Sequence, residues 1–186
     1  MKSVLISIQP KWVEKIVKGE KTIEVRKSAS KEVPFKAYIY CTKEKKQDDI
    51  IWAGVCGDRG KWYGRVIGEF VCDKVYSIKN QGGRFVVANE EQSVTNEIAR
   101  QSCLDYDDMV SYFGNKDGFG WHISDLKIYD KPKELSEFSR PCSYSGLCFS
   151  CKRTSFKKDG NLLCNTKITR PPQSWMYVEE LREKQE

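Results

Sequence analysis

Val4-Leu5-Ile6-Ser7-Ile8 opens the chain with a short, nearly continuous apolar run, which predicts a first strand. From Pro10 to Lys18 the spacing becomes helical. Trp12, Val13, Ile16 and Val17 form one stripe, and Lys11, Glu14, Lys15 and Lys18 take the other side. Pro10 suits a first helical turn, and Gly19 stands where a left-handed C-terminal cap is wanted. From Thr22 to Lys27 the period drops to two, so Ile23 and Val25 face one way and Thr22, Glu24 and Arg26 the other. Lys21, Glu24 and Arg26 then converge beside the mouth of a sheet, and charge this dense next to a buried strand marks a candidate site.

Lys36 to Cys41 predicts a third strand, followed by a polar loop from Lys43 to Asp49 that leads to Ile50-Ile51-Trp52. Tyr63 to Ile78 is a long β-rich run with Val66, Gly68, Phe70 and Cys72 on one face and Ile67, Val71 and Val75 on the other, the pattern of a strand covered on both sides. Residues 91–113 read as two helical pieces broken near Cys103 to Asp105, with Asp105 capping the second. In Gly118 to Asp130 the apolar register moves from odd to even positions near Ser124-Asp125, which predicts a bulge or corner. Pro132 to Phe138 is a short helical or turn segment, and Ser174 to Lys184 reads as a terminal helix capped by Ser174 after Pro171-Pro172.

At 186 residues, the chain suffices for one well-buried core, or for one core and a small appendage. No apolar run approaches the roughly 20 residues of a membrane helix, and the N-terminus enters an apolar strand rather than a secretory signal, so a soluble, cytoplasmic protein with no membrane partner is expected. The net charge of +6 is unevenly spread. Residues 1–46 hold twelve Lys/Arg against five Asp/Glu and residues 152–170 six against one, whereas residues 90–117 hold seven acids against two bases. Two basic stretches that approached each other would offer a polyanion a surface, although single lysines are ordinarily just solvated.

Ile8-Gln9-Pro10-Lys11-Trp12, Gly19 to Arg26 (G-x-K-T-x-E-x-R in its strand-helix-strand setting), Gly64 to Phe70 and Trp121-His122-Ile123 together resemble an ASCH domain of the PUA-like superfamily. The resemblance covers residues 1–139. It implies an α+β fold: a small bent mixed β-barrel with helices packed at its openings, an acidic helical insert at about 90–117 and a cleft between barrel and first helix. Residues 140–186 fall outside it as a cysteine-rich extension with the terminal helix. In relatives such a cleft holds RNA or a modified base, so the resemblance implies RNA or a modified nucleoside as partner. One enzyme branch, small bacterial amidohydrolases acting on N4-acetylcytidine, is similar over the same motif. Lys21 matches that branch's catalytic lysine, its threonine nucleophile falls at Glu24, and its glutamate falls near Ser102 or Cys103. A carboxylate paired with a cation is a poor nucleophile, so a hydrolase or ribonuclease reading needs Glu24 as a general base on water.

Lys11, Lys21, Glu24, Arg26 and Lys27 are therefore the candidate nucleic-acid-binding residues, with Lys21 and Glu24 catalytic if the chain is an enzyme. Arg26 can fork onto a phosphate, Lys21 can meet another as a point charge, and Glu24 can accept from a base amino group. A structural ion pair that orients the turn is the competing reading. His122 is the single histidine and reads first as structural. Among the tryptophans, Trp12 and Trp121 suit the core, whereas Trp52 and Trp62 flank the glycine-rich 54–60 loop and suit stacking on bases. Cys41 and Cys72 sit in apolar strands as small core residues. Cys142-x5-Cys148-x2-Cys151-x12-Cys164 gathers four thiols in a loop-rich tail, which suggests a closed, structural zinc site, against free thiols or disulfides. The acidic helices 91–113 offer a third prospect, a docking surface for a protein partner.

Overall fold

Gln9 is extended and Pro10 has no N–H to leave unsatisfied, so the chain turns from β1 (Lys2–Ile8) straight into α1 (Pro10–Val17), as the spacing predicts. The structure, a computed structural model, describes residues 1–43, 61–142, 154–156, 162–164 and 166–181. Most of the expected 43–49 loop, Ile50-Ile51-Trp52 and the 54–60 loop lie outside these residues. Gly19 takes the predicted left-handed conformation (φ +73°) and reverses the chain into β2 (Ile23–Arg26). β3 (Phe35–Cys41) follows and lies parallel to β1, with Val4 opposite Ala37 and Ile8 opposite Cys41.

The two long β-runs of the sequence are each divided between sheets. Tyr63 to Ile78 becomes β4 (Arg65–Cys72) and β5 (Val75–Gln81), and Gly118 to Asp130 becomes β7 (Gly118–His122) and β8 (Ser124–Lys133). Asp125, at φ +47°, stands at the predicted corner. β4 and β8 enter a five-stranded sheet of order β11-β1-β3-β4-β8. β5 and β7 enter a four-stranded sheet of order β2-β7-β5-β6, in which β6 is Arg84–Val87. These nine strands thus form two separate ladders rather than the closed barrel expected, because the chain changes sheet at each corner. One apolar cluster, including Ile6, Ile16, Ile39, Phe70 and Trp121, still joins both sheets and α1.

α2 (Gln92–Ser102) and α3 (Tyr106–Phe113) form the acidic insert. They break where predicted: Cys103 is left-handed (φ 54°), and the Asp105 carboxylate accepts from the Asp108 N–H. Ile98, Met109 and Phe113 pack with Ile23, Val25, Phe85 and Val87 into a second cluster. Gly118 permits this closeness, since a Cβ there would run into the Phe113 ring.

Over residues 174–181, the described part of the expected terminal helix, no helix is formed. Trp175–Val178 is strand β11, paired antiparallel with Ser3 to Ile6, and Trp175 packs edge-on to Trp121 at 5.5 Å. Trp175, Tyr177 and Val178, aromatic and β-branched residues beside an open sheet edge, outweigh the helical signal of the charged residues that follow. β11 joins the segment beyond residue 139 to the main sheet, and Ile168 and Val178 enter a third cluster with Leu5 and Tyr38. β9 (Thr154–Phe156) and β10 (Leu162–Cys164) form a two-stranded ribbon. Among the described residues no helix is long and apolar enough to cross a membrane.

Candidate nucleic-acid cleft

The turn after α1 is held by the Glu20 and Lys21 N–H groups, which both donate to the Lys15 carbonyl, and it drives Lys21 inward. Its ammonium donates to the Ser102 carbonyl at 2.5 Å, lies 3.5 Å from Glu24 Oε2 and sits 5.2 Å from the centre of the Trp12 ring. Arg26 approaches from the far end of β2. Its Nη2 reaches Glu24 Oε1 at 2.9 Å and donates to the Ser7 carbonyl at 2.6 Å. The predicted alternation places the three charges together. Ile23 and Val25 go to the second core, and Glu24 and Arg26 go to the other side with Lys21.

All three are almost completely enclosed, Lys21 at 2%, Glu24 at 4% and Arg26 at 8% exposed. Two cations and one anion leave the group one positive charge in excess, in a setting where water screens poorly. Burial holds the Lys21 ammonium below its ordinary range, and the negative charge of Glu24 is the main opposing influence. Because the folded pKa lies below the unfolded 10.5, the unfolded chain binds more protons in the alkaline window, so this residue makes stability rise with pH up to about that value. Lys21→Met removes the titrating group and leaves Glu24 with Arg26. Wild type should therefore gain stability relative to Lys21→Met between neutral pH and pH about 10, as urea unfolding at several pH values can check.

This group forms the floor of an open cleft of about 1790 Å³. Lys11, Lys21, Glu24, Arg26 and Lys27, the residues singled out from sequence, all line it. Lys11 and Lys27 are exposed at its rim, and each ammonium lies over an aromatic ring: Lys11 over Trp12 at 4.3 Å, Lys27 over Tyr112 at 5.2 Å. Trp12 is half-buried, and it both packs on the first cluster, as expected, and lines the cleft. Trp62 lines the cleft as well, Trp121 is fully buried as expected, and Trp52 lies outside the described residues.

Other candidates fall elsewhere. His122 is outside the cleft, with Nδ1 at 2.6 Å from Asp73 Oδ1, a contact that holds the Asp73 carboxyl below its usual range. Ser102 contributes its carbonyl to Lys21, and the half-buried Cys103 donates through Sγ to the Glu20 carbonyl at 3.3 Å, so the two positions aligned with the amidohydrolase glutamate do border Lys21. Glu24 Oε2 is sealed from solvent with the Lys21 ammonium 3.5 Å away, so in this arrangement it reaches neither bulk water nor a base amino group. Cys41 and Cys72 are buried, and burial pushes the Cys72 thiol up to about 12. Of the proposed zinc ligands, Cys148 and Cys151 lie outside the described residues, Cys142 is exposed and Cys164 ends β10. No cluster of three metal-ligating side chains occurs among the described residues.

One wall escaped the sequence reading. Thr169 and Pro171 to Ser174 run along the cleft, and Ser7 ties them to the floor: its hydroxyl donates to the Pro172 carbonyl at 2.6 Å, its N–H donates to the Ser174 carbonyl at 2.9 Å, and its own carbonyl accepts from Arg26. The available signal was that Ser7 is the one polar residue inside the Val4 to Ile8 apolar run.

No protein-family model and no curated protein matches the sequence. Solved structures do. The crystal structure of ASCH from Zymomonas mobilis aligns at 16% identity over 96% of this chain and 89% of that chain, with a TM-score of 0.50. Two of its point variants align at 14% identity over 97% and 92%, and at 15% identity over 96% and 89%, each with a TM-score of 0.55. With two packed sheets, a short first helix over the cleft and a helical insert, the chain has an ASCH-domain fold.

Proposed function

We propose that the chain binds single-stranded RNA, including segments that carry a modified nucleotide, in the cleft beneath α1. The observation that carries this reading is the pair of lysine–aromatic units, Lys11 with Trp12 and Lys27 with Tyr112, on either side of a buried floor of net positive charge. Each unit supplies what one nucleotide of an unpaired strand needs, a ring for the base and an ammonium for the phosphate. The Lys21–Glu24–Arg26 group contributes a fixed positive potential and rigid walls rather than direct contacts, because it is enclosed. Cleft volume supports an oligonucleotide over a free nucleoside, since about 1790 Å³ exceeds the roughly 300–1,000 Å³ of pockets that enclose small ligands. Fluorescence polarisation with a short single-stranded RNA and with its duplex tests the reading. The single strand should bind more tightly, and equal or absent binding of both contradicts it.

Hydrolysis of an acylated nucleoside, or of RNA, is the second reading. The lowered Lys21 pKa beside Ser102 and Cys103 favours it, and the sealed Glu24 oxygen ranks it below binding. Release of cytidine from N4-acetylcytidine that stops in Lys21→Ala, with the fold intact, would reverse that order.

For the tail we propose a structural zinc ion held by Cys142, Cys148, Cys151 and Cys164. In support, the β9–β10 register sets Cys164 opposite Thr154, which lies three positions after Cys151 in the sequence. Four thiolates close the coordination sphere and suit structure rather than catalysis. Purified protein should carry about one zinc per chain, Cys151→Ser should lose most of it, and full metal content in that variant contradicts the assignment.

A further inference from the structure

Three carboxylates among the described residues line the cleft: Glu14, Glu24 and Asp108. Two of them are neutralised. Glu14 Oε1 is 2.7 Å from the Lys18 ammonium, and Glu24 lies between Lys21 and Arg26. Asp108 differs. It is half-buried, its backbone N–H donates to the Asp105 carboxylate, and among the described residues its own carboxylate has neither an ion-pair partner nor a hydrogen-bond donor. An unpaired anion between a positive floor and a lysine rim repels phosphate, so it works against a bound strand unless it accepts hydrogen bonds from that strand.

The helix decides what stands beside it. Asp105 caps α3, which makes Asp108 the third residue of the helix and puts Tyr112 one turn later on the same face. Both line the cleft, and the Lys27 ammonium lies over the Tyr112 ring at 5.2 Å. Cβ atoms one turn apart are about 5–6 Å from each other. Half the width of a nucleobase and one hydrogen bond of about 2.9 Å span such a distance, so a base stacked on Tyr112 brings its edge to the Asp108 carboxylate.

An ionised carboxylate only accepts, and its two oxygens suit two N–H groups side by side. The free edges of unpaired bases differ in this respect. Guanine presents N1–H next to the N2 amino group. Cytosine and adenine present one amino group beside a ring nitrogen that accepts, and uracil presents one N–H between two carbonyl oxygens, so each of these turns a lone pair toward the carboxylate. We propose that Asp108 makes the Tyr112 side of the cleft a guanine site: the base stacks on Tyr112 and donates N1–H and an N2 proton to the two Asp108 oxygens, while Lys27 meets the phosphate. This assignment rests on the reading of the cleft as a single-strand RNA site and adds which base is selected there.

Fluorescence polarisation with a short oligouridine that carries one central guanosine tests it, with the guanosine replaced in turn by inosine, adenosine, cytidine and uridine. Inosine keeps N1–H and lacks the N2 amino group, which separates the paired contact from stacking. A strand can slide to seat its one guanine, so the guanosine strand should bind wild type at least about fivefold more tightly than each of the other four. Asp108→Asn, whose amide replaces one acceptor with a donor, should abolish that preference and bind the all-uridine strand no more weakly than wild type. A role confined to stabilising the start of α3 would leave the order of bases unchanged. Equal binding of the guanosine and inosine strands, preference for another base, or a guanosine preference that persists in Asp108→Asn would overturn the assignment and leave the cleft reading standing. Absence of binding by all five strands at low salt would instead overturn the cleft reading, and the assignment with it. Should Asp108→Asn fail to fold, the wild-type comparison of guanosine with inosine decides.

Discussion

Glu24→Ala is expected to destabilise the protein by about 3–5 kcal/mol, because it leaves the Lys21 and Arg26 cations enclosed together with no anion between them. Lys21 has an escape that Arg26 lacks: it can give up its proton, and its pKa is already depressed. The loss should therefore shrink as pH rises toward 10, whereas a simple cavity left by the missing side chain would cost the same at every pH. Urea unfolding of wild type and Glu24→Ala at pH 7 and pH 10 separates the two. A pH-independent difference of about 1 kcal/mol or less would mean that the three residues are not a coupled, buried unit.

The second large effect concerns binding. Lys11→Ala and Lys27→Ala lie at the exposed rim, where neither side chain supports the floor. Each should weaken single-stranded RNA by about tenfold or less, and the pair should approach the product of the two, since the lysines stand over different rings. Every lost phosphate contact lowers the salt slope by about 0.7 for a single strand. Arg26→Ala is a poorer probe of contact, because its guanidinium is occupied by Glu24 and the Ser7 carbonyl and its loss also disturbs the wall that Ser7 secures.

Local chemistry was legible in the sequence where one short segment determines it. The 3.6-to-2 change of period around Gly19 gave α1, its cap and β2, and the same alternation brought Lys21, Glu24 and Arg26 together. Asp105 announced the start of α3 because an N-cap acts over three residues. What the sequence withheld depends on long-range pairing. Trp175 to Val178 carries no local mark of its partner, and β1, more than 160 positions away, decides that it is a strand. The corner at residues 123–125 was visible as a shift of register, but the one at 73–74 lay unmarked inside a run read as continuous, and nothing local showed that either would pass the chain to a different sheet. The enclosure of Glu24 was hidden for the same reason. Ser102, which caps Lys21, comes from a helix 81 residues downstream, and no pattern near Glu24 reports it.

Phosphate contacts at the rim are what should hold a single strand in the cleft beneath α1. A salt titration of wild type and the Lys11→Ala/Lys27→Ala double variant against a short fluorescent single-stranded RNA tests it most directly. Wild-type affinity should fall steeply with salt, and the log–log slope should be shallower by about 1.4 in the double variant. Salt-independent binding, or the same slope in both proteins, would contradict it.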